Sequence, residues 1–168
     1  MKYHIQEHLY NKELGIRGSC YPTAIACLLD LELNQVPNFQ LFYWNDEEKK
    51  NMTQSFLNHY CNGNYETAEK YQQDNFDRNK SIAQNHWNNT LIYWLSAKGY
   101  RENYIDNDSY KEWLSENVDV PYLVTGKSSR GVDHVVIYMN DKMIHDPHPS
   151  GEGLVKLHEY PYKSLIKI

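Results

Sequence analysis

The amino-acid sequence predicts an α+β domain in which an N-terminal helix packs on a twisted antiparallel sheet. Apolar residues recur at helical spacing over the first two-thirds of the 168 residues, whereas the last third carries short β-branched runs between turn residues. Helices followed by hairpin-connected strands are typical of this class. The length suits one buried core, so residues 1–168 are predicted to form a single domain.

The first helix is expected to begin near Ser19, which is a favoured N-cap residue. Pro22 falls in the first turn, where its missing N–H costs no hydrogen bond, and the helix should end before Pro37. The apolar residues that would line its buried face are Cys20, Ala24, Cys27, Leu28 and Leu31.

The middle of the chain, about residues 45–99, is predicted to be a helical insertion. Residues 45–48 resemble a capped, acidic helix start, and apolar residues follow at four-residue steps. A second amphipathic helix is expected to end at Gly99, and its apolar positions are Trp87, Leu91, Trp94 and Leu95. A short helix is predicted over residues 109–116.

Strands dominate the last third of the sequence. A strand over residues 120–125 and a loop over 126–131 precede a predicted hairpin. Its strands run over residues 134–139 and 142–145, joined by a turn at Asn140-Asp141. A loop over residues 146–153 and a strand over 154–157 complete the predicted order.

Charge and composition argue against several classes of function. The net charge is −5 and the sequence pI about 5.9, and Lys127 with Arg130 make too small a patch for nucleic acid. No stretch is long enough to span a bilayer, and the first residues lack the apolar core of a signal peptide. We therefore expect a cytoplasmic protein that binds neither nucleic acid nor membrane.

The cysteines suggest a reactive thiol rather than a disulfide framework. There are three, Cys20, Cys27 and Cys61, with no CxxC pair for zinc. Cys20 lies at the predicted helix start, where unpaired N–H groups and the helix dipole stabilise a thiolate. Gly18 would let a substrate approach the backbone, and the Cys20 N–H could stabilise an oxyanion. The alternative is a structural cysteine, which is what Cys27 is expected to be.

His134 and Asp146 are expected to be neighbours because they begin and end the two strands of one hairpin. A two-residue turn alone would pair Asp146 with Val135, on the wrong face of the sheet. A three-residue loop over 139–141, or a β-bulge, would bring Asp146 to the face of His134, so we predict one of these. The alternatives are a structural sheet histidine and an aspartate that caps its own turn.

Together these residues form a candidate nucleophile relay. Asp146 would orient the imidazole of His134, and His134 would accept the proton of Cys20. Such a relay needs no metal and no organic cofactor.

The motifs around these residues resemble the papain-like cysteine peptidase superfamily, in particular its compact bacterial branch of bacteriocin-processing (double-glycine) peptidases. The segment 18–26 (GSCYPTAIA) is similar to the nucleophile helix of that family, and segments 131–136 (GVDHVV) and 144–151 (IHDPHPSG) carry the rest. The chain also looks like uncharacterised bacterial and phage proteins with an HDPHPSG loop. The resemblance covers about 60 residues and implies a papain-like fold, with residues 45–99 as an insertion.

The resemblance implies a peptidase, isopeptidase or amidase that acts on a protein or peptide through a thioester intermediate. Family members place an oxyanion-hole glutamine about six residues before the cysteine, where this chain has Leu14. Gln6 is the one glutamine upstream and is therefore the candidate. Gly18, Ser19 and Arg130 are candidates for the substrate rim. A phage-encoded protein would act in the host cytoplasm. The sequence assigns no oligomeric state.

Two other readings remain open from the residues alone. His134, His145, Asp146 and His148 supply nitrogen and oxygen ligands for a metal, although their spacing matches no zinc signature. The chain could also be a catalytically inactive papain-like scaffold, for example an inhibitor of a host or phage factor. Its contact patch would be aromatic, from Tyr43, Trp44, Trp87 and Trp94.

Overall fold

The structure is a computed structural model that describes residues 1–11, 18–37 and 90–168. Its contacts divide the chain into two compact units. The first comprises residues 1–6, 20–37 and 92–168, and the second comprises residues 7–19 and 38–91. The first unit contains the helix and sheet predicted to carry the site.

The first unit is an α+β structure built on a five-stranded antiparallel sheet, as the sequence predicts at this level. The strands are β1 (Tyr100–Ile105), β2 (Tyr122–Lys127), β3 (Asp133–Met139), β4 (Lys142–His145) and β5 (Lys156–Lys167). Their order in the sheet is β1-β5-β2-β3-β4, so the last strand of the chain lies between β1 and β2. Every neighbouring pair is antiparallel.

The helices begin close to the expected residues, but α1 is shorter than expected. Helix α1 (Cys20–Leu28) ends eight residues before the last position ahead of Pro37, at a turn in which Asp30 has a φ of 58°. A 3-10 turn (Leu33–Gln35) follows. Residues 90–97 are helical (α2), and the turn that follows contains Gly99 with a φ of 78°. Helix α3 (Tyr110–Glu116) has Ser109 as its N-cap residue.

Both faces of the sheet are covered, which explains the near-continuous burial of β2 and β3. On one face, Tyr21 of α1 reaches Glu102 of β1 and Lys163 of β5. On the other face, α3 packs through an aromatic cluster that contains Tyr110, Tyr122 and Tyr162. Tyr110 and Tyr162 stack with ring centroids 3.8 Å apart. Several tyrosines therefore belong to the core, and the hydroxyls of Tyr21, Tyr110 and Tyr122 are hydrogen-bonded there.

Two strands of the sheet differ from the sequence prediction. β1 is an additional strand, and β5 extends ten residues beyond the predicted end at Leu157. Both are rich in polar residues, and β5 contains Pro161, so neither shows the apolar alternation of a free-standing strand. They pair with each other over six residues, from Tyr100↔Lys167 to Ile105↔Tyr162. Long-range pairing therefore supplies what local propensity does not.

Most of the predicted insertion over residues 45–99 lies outside the described residues. Tyr43, Trp44, Trp87 and Cys61 lie there too. Of the predicted aromatic patch, Trp94 on α2 is half-buried, with Lys98 Nζ 5.7 Å from its ring centroid. In the part of the chain that the structure describes, no helix is long and apolar enough to cross a bilayer.

Candidate active site

Cys20 is the first residue of α1, where the helix presents backbone N–H groups that have no partner within the helix. Its side chain is 6% exposed, and every residue from Cys20 to Cys27 is buried. The helix is buried all round because it packs in the interior of the first unit, against β3 among others. Cys27, two turns later, is fully buried and accepts a hydrogen bond from the His4 N–H.

His134 is the second residue of β3, and its imidazole joins the two other predicted site residues. Its Nε2 donates to Asp146 Oδ1 over 2.7 Å, and the ring also hydrogen-bonds to the Cys20 side chain. Because Nε2 faces the carboxylate, Nδ1 is the nitrogen left for the sulfur. The side chain is 2% exposed. The structure thus brings Cys20, His134 and Asp146 into one hydrogen-bonded chain.

Asp146 follows directly after β4 and is held by the loop that it begins. Oδ1 accepts the His134 Nε2–H and the backbone N–H of His148 at 2.8 Å, and Oδ2 accepts the Gly153 N–H at 2.8 Å. Both roles predicted for Asp146 from the sequence are therefore present. It caps its own turn, and the same oxygen orients the histidine.

A β-bulge brings Asp146 to the face of His134. The turn at Asn140-Asp141 has two residues, with φ of 52° and 60°, and it pairs Met139 with Lys142 and Tyr138 with Met143. The register then shifts, so that Ile137 pairs with His145 and Ile144 is the extra residue. Continued by one step, this register sets Asp146 opposite Val136, on the same face as His134. The bulge, and not a longer loop, is the device that the chain uses.

Burial and hydrogen bonding have opposite effects on the charged forms of His134 and Asp146. Burial alone would disfavour the imidazolium, but the hydrogen bonds and negative charges of Asp146 and Cys20 raise the pKa of His134 to about 9. Burial would likewise disfavour the carboxylate. The hydrogen bonds from His134, His148 and Gly153 outweigh it and hold the pKa of Asp146 below its usual range. At neutral pH the site therefore favours an imidazolium beside a carboxylate.

Gln6 lies next to the loop that carries Asp146. Its side chain is buried, and its backbone N–H donates to the Pro147 carbonyl over 2.8 Å. Two further contacts hold this segment: the His145 Nε2–H donates to the His4 carbonyl, and the His4 Nε2–H donates to the Leu31 carbonyl. Residues 1–6 therefore run between the end of α1 and the hairpin, which brings Gln6 into contact with Pro147, the residue that follows Asp146.

Gly18 and Ser19, the other candidates for the rim, directly precede Cys20 in the chain and belong to the second unit. Ser19 is buried, its backbone N–H donates to the His8 carbonyl over 2.9 Å, and its Oγ accepts the His8 N–H at 3.1 Å. These bonds fix the backbone immediately before Cys20.

Arg130 is exposed in the loop between β2 and β3, and it contacts the loop after Asp146. Its Nη1 lies 3.0 Å from His148 Nδ1 and 3.2 Å from Ser150 Oγ. Lys127, its neighbour in sequence, is instead paired with Asp133 at 2.8 Å. The two basic residues therefore do not form one patch.

The four residues of the possible metal site do not converge. His145 turns its Nε2 to the His4 carbonyl, and His148 turns its Nδ1 to Ser150 and Arg130. Across residues 1–11, 18–37 and 90–168, no group of three His, Cys, Asp or Glu side chains is placed to hold a metal ion.

A buried polar cluster next to Cys20 escaped the sequence reasoning. Tyr21 donates to Glu102, and Lys163 Nζ lies 3.1 Å from the Tyr21 hydroxyl and 3.8 Å from Glu102. Lys163 also lies 5.1 Å and 4.7 Å from the ring centroids of Tyr21 and Tyr104. Because β1 was not predicted, nothing in the sequence placed Glu102 beside this helix.

Comparison of the chain with protein-family models, with curated proteins and with solved structures found no match. Function is therefore inferred from the chemistry of the site.

Proposed function

We propose that this protein is a cysteine hydrolase of papain-like architecture, which cleaves a peptide, isopeptide or amide bond in a protein or peptide. The observation that carries the proposal is the hydrogen-bonded chain from the Cys20 sulfur through His134 to Asp146. A helix start, an imidazole and a buried carboxylate in this order are the parts that thiol activation needs. A merely structural cysteine has no need of an oriented imidazole.

The raised pKa of His134 favours the imidazolium form of its ring at neutral pH. The proposed reaction begins with Cys20 as the thiolate beside this imidazolium, with Asp146 holding the ring. The thiolate attacks the carbonyl carbon to form a tetrahedral oxyanion. As the carbon–nitrogen bond breaks, His134 gives its proton to the leaving amine, and a thioester with Cys20 remains.

The second half of the reaction uses the same histidine as a base. Neutral His134 takes a proton from water as the water attacks the thioester carbonyl. The carbon–sulfur bond then breaks, and the site returns to thiolate and imidazolium while the carboxylic acid leaves. Each step transfers one proton at His134, so no metal or organic cofactor takes part.

Two groups are assigned to the oxyanion. The Cys20 backbone N–H is at the open end of α1, and the buried Gln6 lies beside Pro147, next to the triad aspartate. Removal of one oxyanion donor typically lowers kcat by about 100- to 1,000-fold. Gln6→Ala is therefore a sensitive variant once a substrate is known.

Selective alkylation tests the activated thiol without knowledge of the substrate. Brief iodoacetamide treatment at neutral pH, followed by intact-mass measurement and peptide mapping, should label Cys20 well before Cys27 and Cys61. The rate at Cys20 should fall at least about tenfold in His134→Ala, because the imidazolium that stabilises the thiolate is lost. Cys27→Ala is the matched control and should leave the Cys20 rate unchanged.

Equal labelling of all three cysteines, or an unchanged Cys20 rate in His134→Ala, would contradict the proposal. A biological activity that survives Cys20→Ala would instead support the catalytically inactive scaffold.

A further inference from the structure

We propose that Arg130 forms a carboxylate-binding subsite beside the triad, so that the substrate carries an anionic group close to the bond that is cleaved. The inference rests on the proposed hydrolase function and adds the chemical class of the substrate. It begins with the position of His148, whose ring centroid lies 6.1 Å from that of His134, edge to face. Arg130 contacts Nδ1 of this same ring, so one imidazole separates it from the catalytic histidine.

The Arg130 guanidinium is held in place by neutral partners. Nη1 lies 3.0 Å from His148 Nδ1 and 3.2 Å from Ser150 Oγ. His148 Nδ1 also accepts the backbone N–H of Ser150 at 3.0 Å. Since a guanidinium and a backbone N–H can only donate, this nitrogen carries no proton and the ring is neutral. The positive charge of Arg130 is thus positioned by this contact and not neutralised by it.

No carboxylate in the described part of the chain forms an ion pair with Arg130. Glu152, in the loop after Asp146, accepts a hydrogen bond from Ser129 Oγ. Asp133 pairs with Lys127 and His158, and Asp146 with His134. In the described residues both contacts of the exposed Arg130 use Nη1, so the guanidinium has further N–H donors at Nη2 and Nε. A planar fork of this kind matches a carboxylate best.

Because the chain as a whole is negative, an anionic group of the substrate is attracted only next to Arg130. The chain has a net charge of −5, which repels anions at long range, so attraction near the triad must come from a local cation. In a peptide substrate the fitting groups are the α-carboxylate of a chain end and the side chain of an acidic residue. Both present the same chemistry to Arg130.

Four electrophiles that react with Cys20 can measure this preference. N-bromoacetyl-glycine carries an α-carboxylate, and N-bromoacetyl-aspartic acid α-amide carries a side-chain carboxylate. N-bromoacetyl-glycinamide and N-bromoacetyl-asparagine amide are their neutral counterparts. In each case the thiolate displaces bromide, so a carbon–sulfur bond replaces the carbon–bromine bond.

For at least one acid, we expect alkylation of Cys20 to be about three- to fivefold faster than for its amide at low salt, the range of an exposed ion pair. Salt should weaken this preference. Arg130→Gln should abolish it, and Arg101→Gln, which removes the same charge from an exposed site on β1, should retain it. The pair of reagents with the larger acid-to-amide ratio shows whether Arg130 prefers the α-carboxylate of a chain end or the carboxylate of an acidic side chain.

The acid-to-amide ratio within one variant cancels any general loss of folded protein. An equal ratio in Arg130→Gln and wild type, or no preference in wild type while both amides label Cys20 selectively, would overturn this inference alone. Unselective labelling by the neutral amides would overturn the proposed function and the subsite with it.

Discussion

At the residue scale, His134 combines two contacts that set its charge. The Asp146 carboxylate holds Nε2 at 2.7 Å, and the Cys20 side chain hydrogen-bonds to the other side of the ring. Together they overcome the effect of burial and raise the pKa of His134 to about 9. The same residue would be a neutral core histidine without these two neighbours.

The pKa of His134 should therefore depend on both partners. Cys20→Ala and Asp146→Asn are each expected to lower it by about one pH unit or more, because each removes a hydrogen bond and a negative charge from the ring. Titration of the His134 ring by NMR measures this directly. Cys27→Ala is the control, and an unchanged His134 pKa in Cys20→Ala would refute the thiolate–imidazolium pair.

The same pKa values set a pH window for stability. His134 has a folded pKa of about 9 against a usual 6.5, so its stabilising effect is complete below pH 6.5 and is lost as pH rises through 9. Asp146 has a lowered pKa, so its contribution is present above its usual 3.8 and is lost as pH falls through the folded value. The pair contributes most between about pH 4 and 6.5, and the fall above that range should be weaker in Asp146→Asn.

At the element scale, Gly126 permits the strand packing behind His134. It pairs with His134 across β2 and β3, and it sits where the β2–β5 register shifts. A Cβ on Gly126 would lie 2.2 Å from the Lys156 carbonyl oxygen of β5. Only glycine therefore lets β5 approach the central strand β2 at this point.

Gly126→Ala should lower the free energy of unfolding by about 2–3 kcal/mol, since backbone atoms must move to admit the methyl group. Urea denaturation measures the change. Gly131→Ala is a matched control because its Cβ would meet nothing within 4 Å, and only its φ of 75° costs about 1 kcal/mol. Equal losses of unfolding free energy in the two variants would show that β5 can move away from residue 126 at little cost, which would contradict the prediction.

At the scale of the whole first unit, the cluster of Tyr21, Glu102 and Lys163 joins α1 to β1 and β5. Its charged side chains are only 10% and 11% exposed. Residues 21, 102 and 163 are far apart in the chain, so the cluster forms only when the helix and both strands have assembled. It also holds Tyr21, the residue next to Cys20, and so helps to orient the start of α1.

Lys163→Met should lower the free energy of unfolding by about 3 kcal/mol, because it leaves the buried Glu102 carboxylate without its cation. Urea denaturation of Lys163→Met and of the double variant with Glu102→Leu separates the two effects. The double variant should recover a large part of the loss, since no buried charge is left unpaired. Lys167→Met, at the exposed end of the same strand, should change stability by less than about 0.5 kcal/mol. A loss in Lys163→Met no larger than this would contradict the cluster's role.

The local sequence was sufficient to place the three residues of the candidate site on their helix and hairpin. A cysteine at a helix start, a histidine at a strand start and an aspartate after the returning strand follow from periodicity and turn residues. Because side chains alternate between the two faces of a strand, the sequence also predicted a bulge or a longer loop to bring Asp146 to the face of His134. Helix α3 and the hairpin were predicted for the same reason, since their signals lie within a few residues of each other. The helical insertion over residues 45–99 stays a prediction for residues 45–89.

Only the tertiary structure decided the features that join distant residues. The polar strands β1 and β5 form because each supplies the other's hydrogen bonds, and propensity carries no such information. Burial of Gln6 beside Pro147, the contact of Arg130 with His148, and the cluster of Tyr21 with Glu102 and Lys163 arise in the same way. Local pattern specifies which side chains can react, whereas packing between segments far apart in sequence determines their charge state and their neighbours.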